Sequence, residues 1–181
     1  MQKSLKGHFL ISNYTVQDPN FNQTVILIID HDEAGAFGLV LNRNEDISLY
    51  EAVEGMPESA GNVILFEGGP VRPDALFVIH SDSLANDPGE EILPGIFLGS
   101  SELLLLDLLE CPYPFHVYHG YSGWSPGQLE DEINSKTWVV LPANEDMIFH
   151  ENPEEIWRNA LSYKGGLHAY FARNVADPSL N

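Results

Sequence analysis

The stretch TVILIIDHDEAGAFGLVLN, Thr24 to Asn42, decides the fold. Its first half runs Val25-Ile26-Leu27-Ile28-Ile29 with no polar residue between them. Branched side chains dominate, the run is too short for an ordinary helix, and turn residues bound it, so it reads as a strand. A strand with one wet face would alternate apolar and polar residues; this one does not, so both faces are covered. The polar DHDEAG that follows is a turn. GAFGLVLN, Gly35 to Asn42, returns from it as a hairpin partner.

The same reading extends in both directions. HFLIS (His8–Ser12), NVILFEGGPV, ALFVIHS (Ala75–Ser81), TWVVLP (Thr137–Pro142) and Phe115 to His119 are strand-like. ILPGIFLG breaks into two short extended pieces at Pro94-Gly95. SLYEAVEGM is a short helix with Ser48 at its N-cap, and Leu103 to Glu110 is a second, stopped before Pro112. NPEEIWRNALSYKGG carries the clearest helix signal: Asn152 as cap, Pro153 in the first turn, Glu155 for a capping box, and Gly165 at the end. Ile156, Trp157, Ala160 and Leu161 form its apolar face. Hairpins mixed with strand–helix–strand stretches predict a mixed α+β domain with helices against a mixed sheet. No repeat or linker divides the chain, so residues 1–181 are expected to form one domain, frayed from about residue 173.

Composition narrows the function classes. Asp and Glu number 27 against 8 Lys and Arg, a formal net charge of -19. The few cations are scattered, so nothing forms the basic stripe that phosphate backbones require, and direct nucleic-acid binding is not expected. The single cysteine, Cys111, cannot close an internal disulfide, which fits a reducing compartment. Neither the opening MQKSLKGHFLISNY nor LLLLDLL (Leu103–Leu109) has the apolar length of a secretory leader or a membrane span. The expectation is a cytoplasmic protein with no membrane association.

HGYSGWSPGQLEDEI, His119 to Ile133, raises the question of catalysis, because a serine between a strand and a helix resembles a nucleophile elbow. The G-x-S-x-G pattern fails at Trp124, where the turn needs a glycine. Ser125, Pro126 and Gln128 read as a capping box, which starts the helix three residues beyond Ser122. Asp146, His150 and His168 follow in hydrolase order, but an acidic chain supplies that order by chance. DHDEAG lacks the alternating acids and closing Glu of a calcium loop and the histidines or cysteines of a zinc site, so no metal is assigned. EGGPVR, Glu67 to Arg72, could form an anion nest, though glycines before proline more often make a turn. Arg43 and His80 end strands; each could reach a ligand or be satisfied internally.

Taken in order, GHFLIS, DPNFNQTVILIIDHDEAGAFGLVLNR, EGGPV, LFVIH and GYSGWSPGQLEDEI resemble the YqgE/AlgH family of bacterial proteins, from Gly7 to about Leu161. The resemblance implies a bent mixed sheet folded as a pseudo-barrel with helices outside. It brings no established enzymatic activity or cofactor, and an indirect association with transcriptional regulation. Its motif residues fall here on Asn42, Arg43, Gly68, Gly69, Pro70, Val71, His80, Gly120, Tyr121, Gly123, Trp124, Gln128 and Leu129. Ser122 stands where the family usually has alanine, and Asn44 where a proline commonly follows Asn-Arg. The expectation is a non-catalytic binding or regulatory domain acting through a protein partner. The alternative is a small-ligand binder or enzyme with a pocket near Arg43, Gly68–Val71, His80 and Trp124, which those side chains must then share.

Overall fold

A computed structural model of the chain describes residues 4–16, 18–150 and 152–166. Ten strands form one curled sheet: β1 (His8–Ser12), β2 (Val25–Asp32), β3 (Gly35–Val40), β4 (Asn44–Ser48), β5 (Ile64–Glu67), β6 (Val71–His80), β7 (Glu90–Leu93), β8 (Ile96–Gly99), β9 (Phe115–Trp124) and β10 (Trp138–Pro142). Their main order is β10-β1-β2-β3-β9-β6-β8-β7, with β5 also on β9 and β4 on β5. The β5–β9 pair is parallel and the others are antiparallel, so the sheet is mixed. Between the strands come α1 (Leu49–Ala52), α2 (Glu102–Leu109) and α3 (Gln128–Asn134), and after β10 come α4 (Glu145–Ile148) and α5 (Pro153–Lys164).

The Val25–Ile29 run is buried on both faces, as its composition requires. Val25, Leu27 and Ile29 join Phe9, Ile11 and Leu39 in the cluster on the inner face of the curl, whereas Ile26 and Ile28 join Leu10 and Val40 under α3. A register shift between Ile28 and Asp30 in the β2–β3 ladder bends the hairpin, and such a bulge is a standard source of sheet curvature. A third cluster, with Leu65, Val78 and Val117, lies under α1 and α2. α5 buries Ile156, Trp157, Ala160 and Leu161 against the inner cluster, and the Trp157 indole N–H donates to the Ser12 carbonyl at 2.9 Å. Fully burying side chains of this size contributes roughly 1.5–3 kcal/mol each, enough to hold a sheet of short strands closed.

Several local expectations need correction. β9 does not end at His119 but continues through Ser122 to Trp124, because β3 pairs with its second half. α3 takes Gly127, in the left-handed conformation, as its N-cap rather than Ser125. Only the reciprocal half of the capping box forms there, with Gln128 Oε1 accepting from the Ser125 N–H at 3.1 Å. Asn152 does cap α5, accepting from the Glu154 N–H, while its own N–H donates to His150 Nδ1. β4 and α4 were missed: NEDIS has too few apolar residues to read as a strand, and a helix of four residues has no periodicity. The proposed fraying from residue 173 lies outside the described residues.

The organising feature is the middle of β9. On one edge it has β6 along most of its length. On the other it pairs first with β5, Leu65 to Glu67 opposite Val117 to His119, and then with β3, Ala36 to Gly38 opposite Trp124 to Ser122. At the exchange the Gly68 N–H donates to the His119 carbonyl at 2.8 Å, and the Gly68 carbonyl accepts from the Val40 N–H at 2.9 Å. Across β9, Val71 pairs with Tyr121 and Leu76 with His119, so residues 72–75 bulge opposite Gly120 alone. Backbone therefore meets backbone. A Cβ on Gly68 would sit 2.4 Å from the Gly120 carbonyl oxygen, one on Gly69 (φ 147°) 2.3 Å from the Tyr121 carbonyl carbon, and one on Gly120 (φ 63°) 2.3 Å from the Gly69 carbonyl oxygen. Alanine at Gly69 or Gly120 is expected to cost about 3 kcal/mol or to abolish folding, from strain plus overlap. At Gly61, where nothing lies within 4 Å, it should change stability by less than about 0.5 kcal/mol. Urea unfolding of the three variants measures the contrast.

Candidate functional site

The polar motif residues turn inward to hold the chain. Asn42 Oδ1 accepts from the Val25 N–H at 2.9 Å and its Nδ2 donates to the Gln23 carbonyl at 2.8 Å. Arg43 Nη2 donates to the Pro19 carbonyl and to Thr24 Oγ1, and its Nη1 lies 4.0 Å from Glu67 Oε2. The Asn-Arg pair thus clamps the loop that delivers the chain into β2, and Asn44, in the place of the family's proline, opens β4 opposite Phe66. His80 is fully buried and stacks on Phe97; its Nδ1 accepts from the Asp82 N–H, so Nε2 carries the proton donated to the Pro88 carbonyl at 2.9 Å. The Trp124 and Trp138 indoles both donate to Glu132 Oε2, at 2.9 and 2.7 Å, and Gln128 Nε2 donates to the other oxygen. Glu132, unnoticed in the sequence, is the acceptor that allows two tryptophans to be buried side by side. Tyr121 packs edge-on against Phe37 and Phe77.

These side chains do not share a cleft. His80 is opposite Phe115 at one end of β9 and Trp124 lies at the other, nine residues and roughly 30 Å of strand away. Gly68 and Gly69 are closed against β9, and Val71 and Pro70 lead out of that crossing. The anion-nest reading of EGGPVR fails on the same geometry: the Gly68 amide is already bonded, and Arg72 lies 3.7 Å from Asp74. Ser122 is buried within β9, its hydroxyl donating to the Gly68 carbonyl at 3.3 Å. Asp146 and His150 line a cleft beside Pro114, eight residues up the chain from Ser122, and His168 lies outside the described residues. In DHDEAG, His31 Nε2 pairs with Glu130 Oε1 at 2.7 Å while Nδ1 accepts from the Leu5 N–H, and Asp32 closes the turn onto the Ala34 N–H. Among the described residues no group of three or more metal-ligating side chains is assembled.

Open space occurs elsewhere. One cleft of about 500 Å³ lies between β4, α1 and β6, with Leu65, Val53 and Leu76 below and Glu45, Glu54 and Asp74 at its edge. His119 Nε2 and Glu45 Oε1 bond across it at 2.8 Å. On the opposite face of the β5–β9 pair, two further clefts of about 410 and 480 Å³ meet at Pro114. Ile64, Phe66, Tyr113 and His116 line the first, Phe149, Glu145 and Asp146 the second. Strand alternation placed Ile64, Phe66 and His116 here, yet His116 did not stand out in sequence, since an isolated histidine in a strand carries no motif.

His116 lines the first cleft, stacked on Phe66 at 4.7 Å and edge-on to Phe149, at 5.4 Å, which lines the second. Burial among these rings disfavours the imidazolium and pushes its pKa down to about 4 from 6.5. The folded state therefore holds fewer protons than the unfolded chain below pH 6.5, and stability falls as pH drops from there toward 4. The loss from this residue is on the order of 3 kcal/mol. His116→Phe, which keeps the ring contacts, should gain on the wild type progressively across that window when urea midpoints are compared; parallel curves would contradict it.

Comparison with known proteins places this architecture. The AlgH-like family model matches residues 9–169. A UPF0301 protein of Chlorobium phaeobacteroides is 34% identical over 184 residues, covering 99% of this chain and 97% of the relative. One from Streptomyces avermitilis is 34% identical over 190 residues, covering 98% and 96%. The solution structure of the AlgH protein from Pseudomonas aeruginosa superimposes with a TM-score of 0.78 at 31% identity, covering 98% of this chain and 99% of that one. The crystal structure of DIP2367 from Corynebacterium diphtheriae, at 20% identity, shares the fold with a TM-score of 0.80 over 95% and 93% of the two chains. With the family model matched over most of the chain and relatives 34% identical over nearly its whole length, this chain belongs to the AlgH-like family.

Proposed function

We propose that this protein is a non-catalytic binding domain that acts through a protein partner bearing a basic surface. The observation that carries the reading is the inward use of the motif side chains. Asn42, Arg43, His80, Ser122, Trp124 and Gln128 each direct their hydrogen bonds at the protein itself, where an active site would leave groups aimed at a substrate. What the molecule offers outward is charge. A formal net charge of -19 on 181 residues repels acidic molecules and nucleic acid and steers cationic proteins toward it.

An association with transcription would then be indirect, with the partner and not this chain meeting DNA. Cytoplasmic residence belongs to the same proposal; among the described residues no helix is long and apolar enough to cross a membrane. The small-ligand alternative loses the pocket it was built on, because Arg43, His80 and Trp124 lie apart.

Reversible crosslinking in the native cytoplasm followed by affinity capture of the tagged full chain tests the reading. One basic protein should be recovered repeatedly, and its capture should weaken steeply between low and moderate salt, as an association steered by opposite charges does. Repeated capture of nothing, or of a partner indifferent to salt, would contradict it.

A further inference from the structure

Among the described residues, the β4–β6 cleft and the paired clefts at Pro114 could each seat a partner's side chain, and their electrostatics differ. In the cleft between β4 and β6 two of the three edge carboxylates are engaged at home, Glu45 with His119 and Asp74 with Arg72, and Glu54 alone takes part in no ion pair among the described residues. The paired clefts on the other face of β5 and β9 are built differently. Pro114 lines both, so the two clefts adjoin there and one bound segment could span them as a single groove. Its apolar half is walled by Ile64 and Tyr113, which remain 41% and 38% exposed, and floored by Phe66 and His116. Its other half carries the exposed carboxylates Glu145 and Asp146 beside Phe149, and neither takes part in an ion pair among the described residues. Among the described residues, no lysine or arginine lines either half.

We propose that this groove is the docking site for a segment of the partner protein that presents an apolar or aromatic side chain flanked by lysine or arginine. The chemistry follows from the lining. Large apolar side chains that stay exposed in a concave patch gain by being covered, and ring faces accept an aromatic or a leucine. The carboxylate rim then selects cationic flanks and rejects acidic ones, because like charges brought together at an interface are strongly penalised. An aromatic anchor with a charged rim is the usual anatomy of an interface hot spot. Strand pairing adds a rigid floor: His116 and Phe66 belong to paired strands, so the pocket exists before the partner arrives.

This inference rests on the partner reading above, and the test separates the two. Amide shifts of the isotopically labelled full chain are followed while a blocked hexapeptide, Lys-Arg-Leu-Phe-Lys-Arg, is added, with the charge-inverted peptide Glu-Asp-Leu-Phe-Glu-Asp as counterpart. The basic peptide should move the signals of Ile64, Tyr113, His116 and Phe149, and the acidic one should not. Ile64→Glu should weaken binding roughly tenfold. Glu145→Lys with Asp146→Lys should weaken it by a similar factor and admit the acidic peptide; both sites are exposed, so the fold is retained. Shifts centred on the β4–β6 cleft, or equal binding of both peptides, would overturn the proposal. So would binding seen only in a chain shortened after Gly166, since the groove's occupant would then be the chain's own C-terminal segment. If a captured partner binds the groove variants as well as the wild type, the groove is wrong while the partner reading stands. If neither peptide nor partner binds, both fall.

Discussion

One backbone crossing sets the conditions for everything else in this molecule. β9 must leave β5 and take up β3 without losing a hydrogen bond, and it does so where Gly68, Gly69 and Gly120 stack main chain on main chain. The bond from the Gly68 N–H to His119 and the bond from Val40 to the Gly68 carbonyl carry the ladder across the exchange. A buried amide left without a partner costs on the order of 1–3 kcal/mol, so the crossing has to be complete to be stable. Joining the β1–β2–β3 half of the sheet to the β5–β6–β8 half in this way lets one sheet curl around one inner core.

The crossing also accounts for the serine that invites a catalytic reading. Ser122 lies beside Gly69 in a strand paired on both sides, with its hydroxyl held by the Gly68 carbonyl. A nucleophile requires exposure, a neighbouring base and donors aimed at a developing oxyanion. Ser122 has an acceptor and a wall of backbone. Asn42 and Arg43 on one side, and Trp124, Gln128 and Glu132 on the other, extend the same task outward by fastening the loop into β2 and the helix after β9.

How much of this could be read from the chain follows from the range of the forces involved. The unbroken apolar run Val25–Ile29 reported a doubly covered strand, because burial on both faces is written into consecutive residues. Asn152, Pro153 and the Ile156–Trp157–Ala160–Leu161 face reported α5 for the same reason: cap and periodicity are local. The pairing of β5 with β9 was not legible, since nothing in ILFE or in FHVYH names a partner about fifty residues distant. The extension of β9 through Ser122 depended on β3, whose pairing tertiary structure alone supplies. The groove was hidden for a related reason. Ile64, the Tyr113–His116 stretch and Phe149 come from three separated segments, and each taken singly looks like ordinary core.

Hydrogen exchange at the crossing examines the central claim most directly. If the exchange of partners along β9 holds the two halves of the sheet together, the amides of Gly68 and Val40 can open only when the whole domain unfolds. They should then show the same opening free energy, and the same dependence on denaturant, as the Ile26 and Ile28 amides inside β2. Faster exchange at Gly68 and Val40, insensitive to denaturant while β2 stays protected, would show that the crossing opens locally and that the fold does not depend on it.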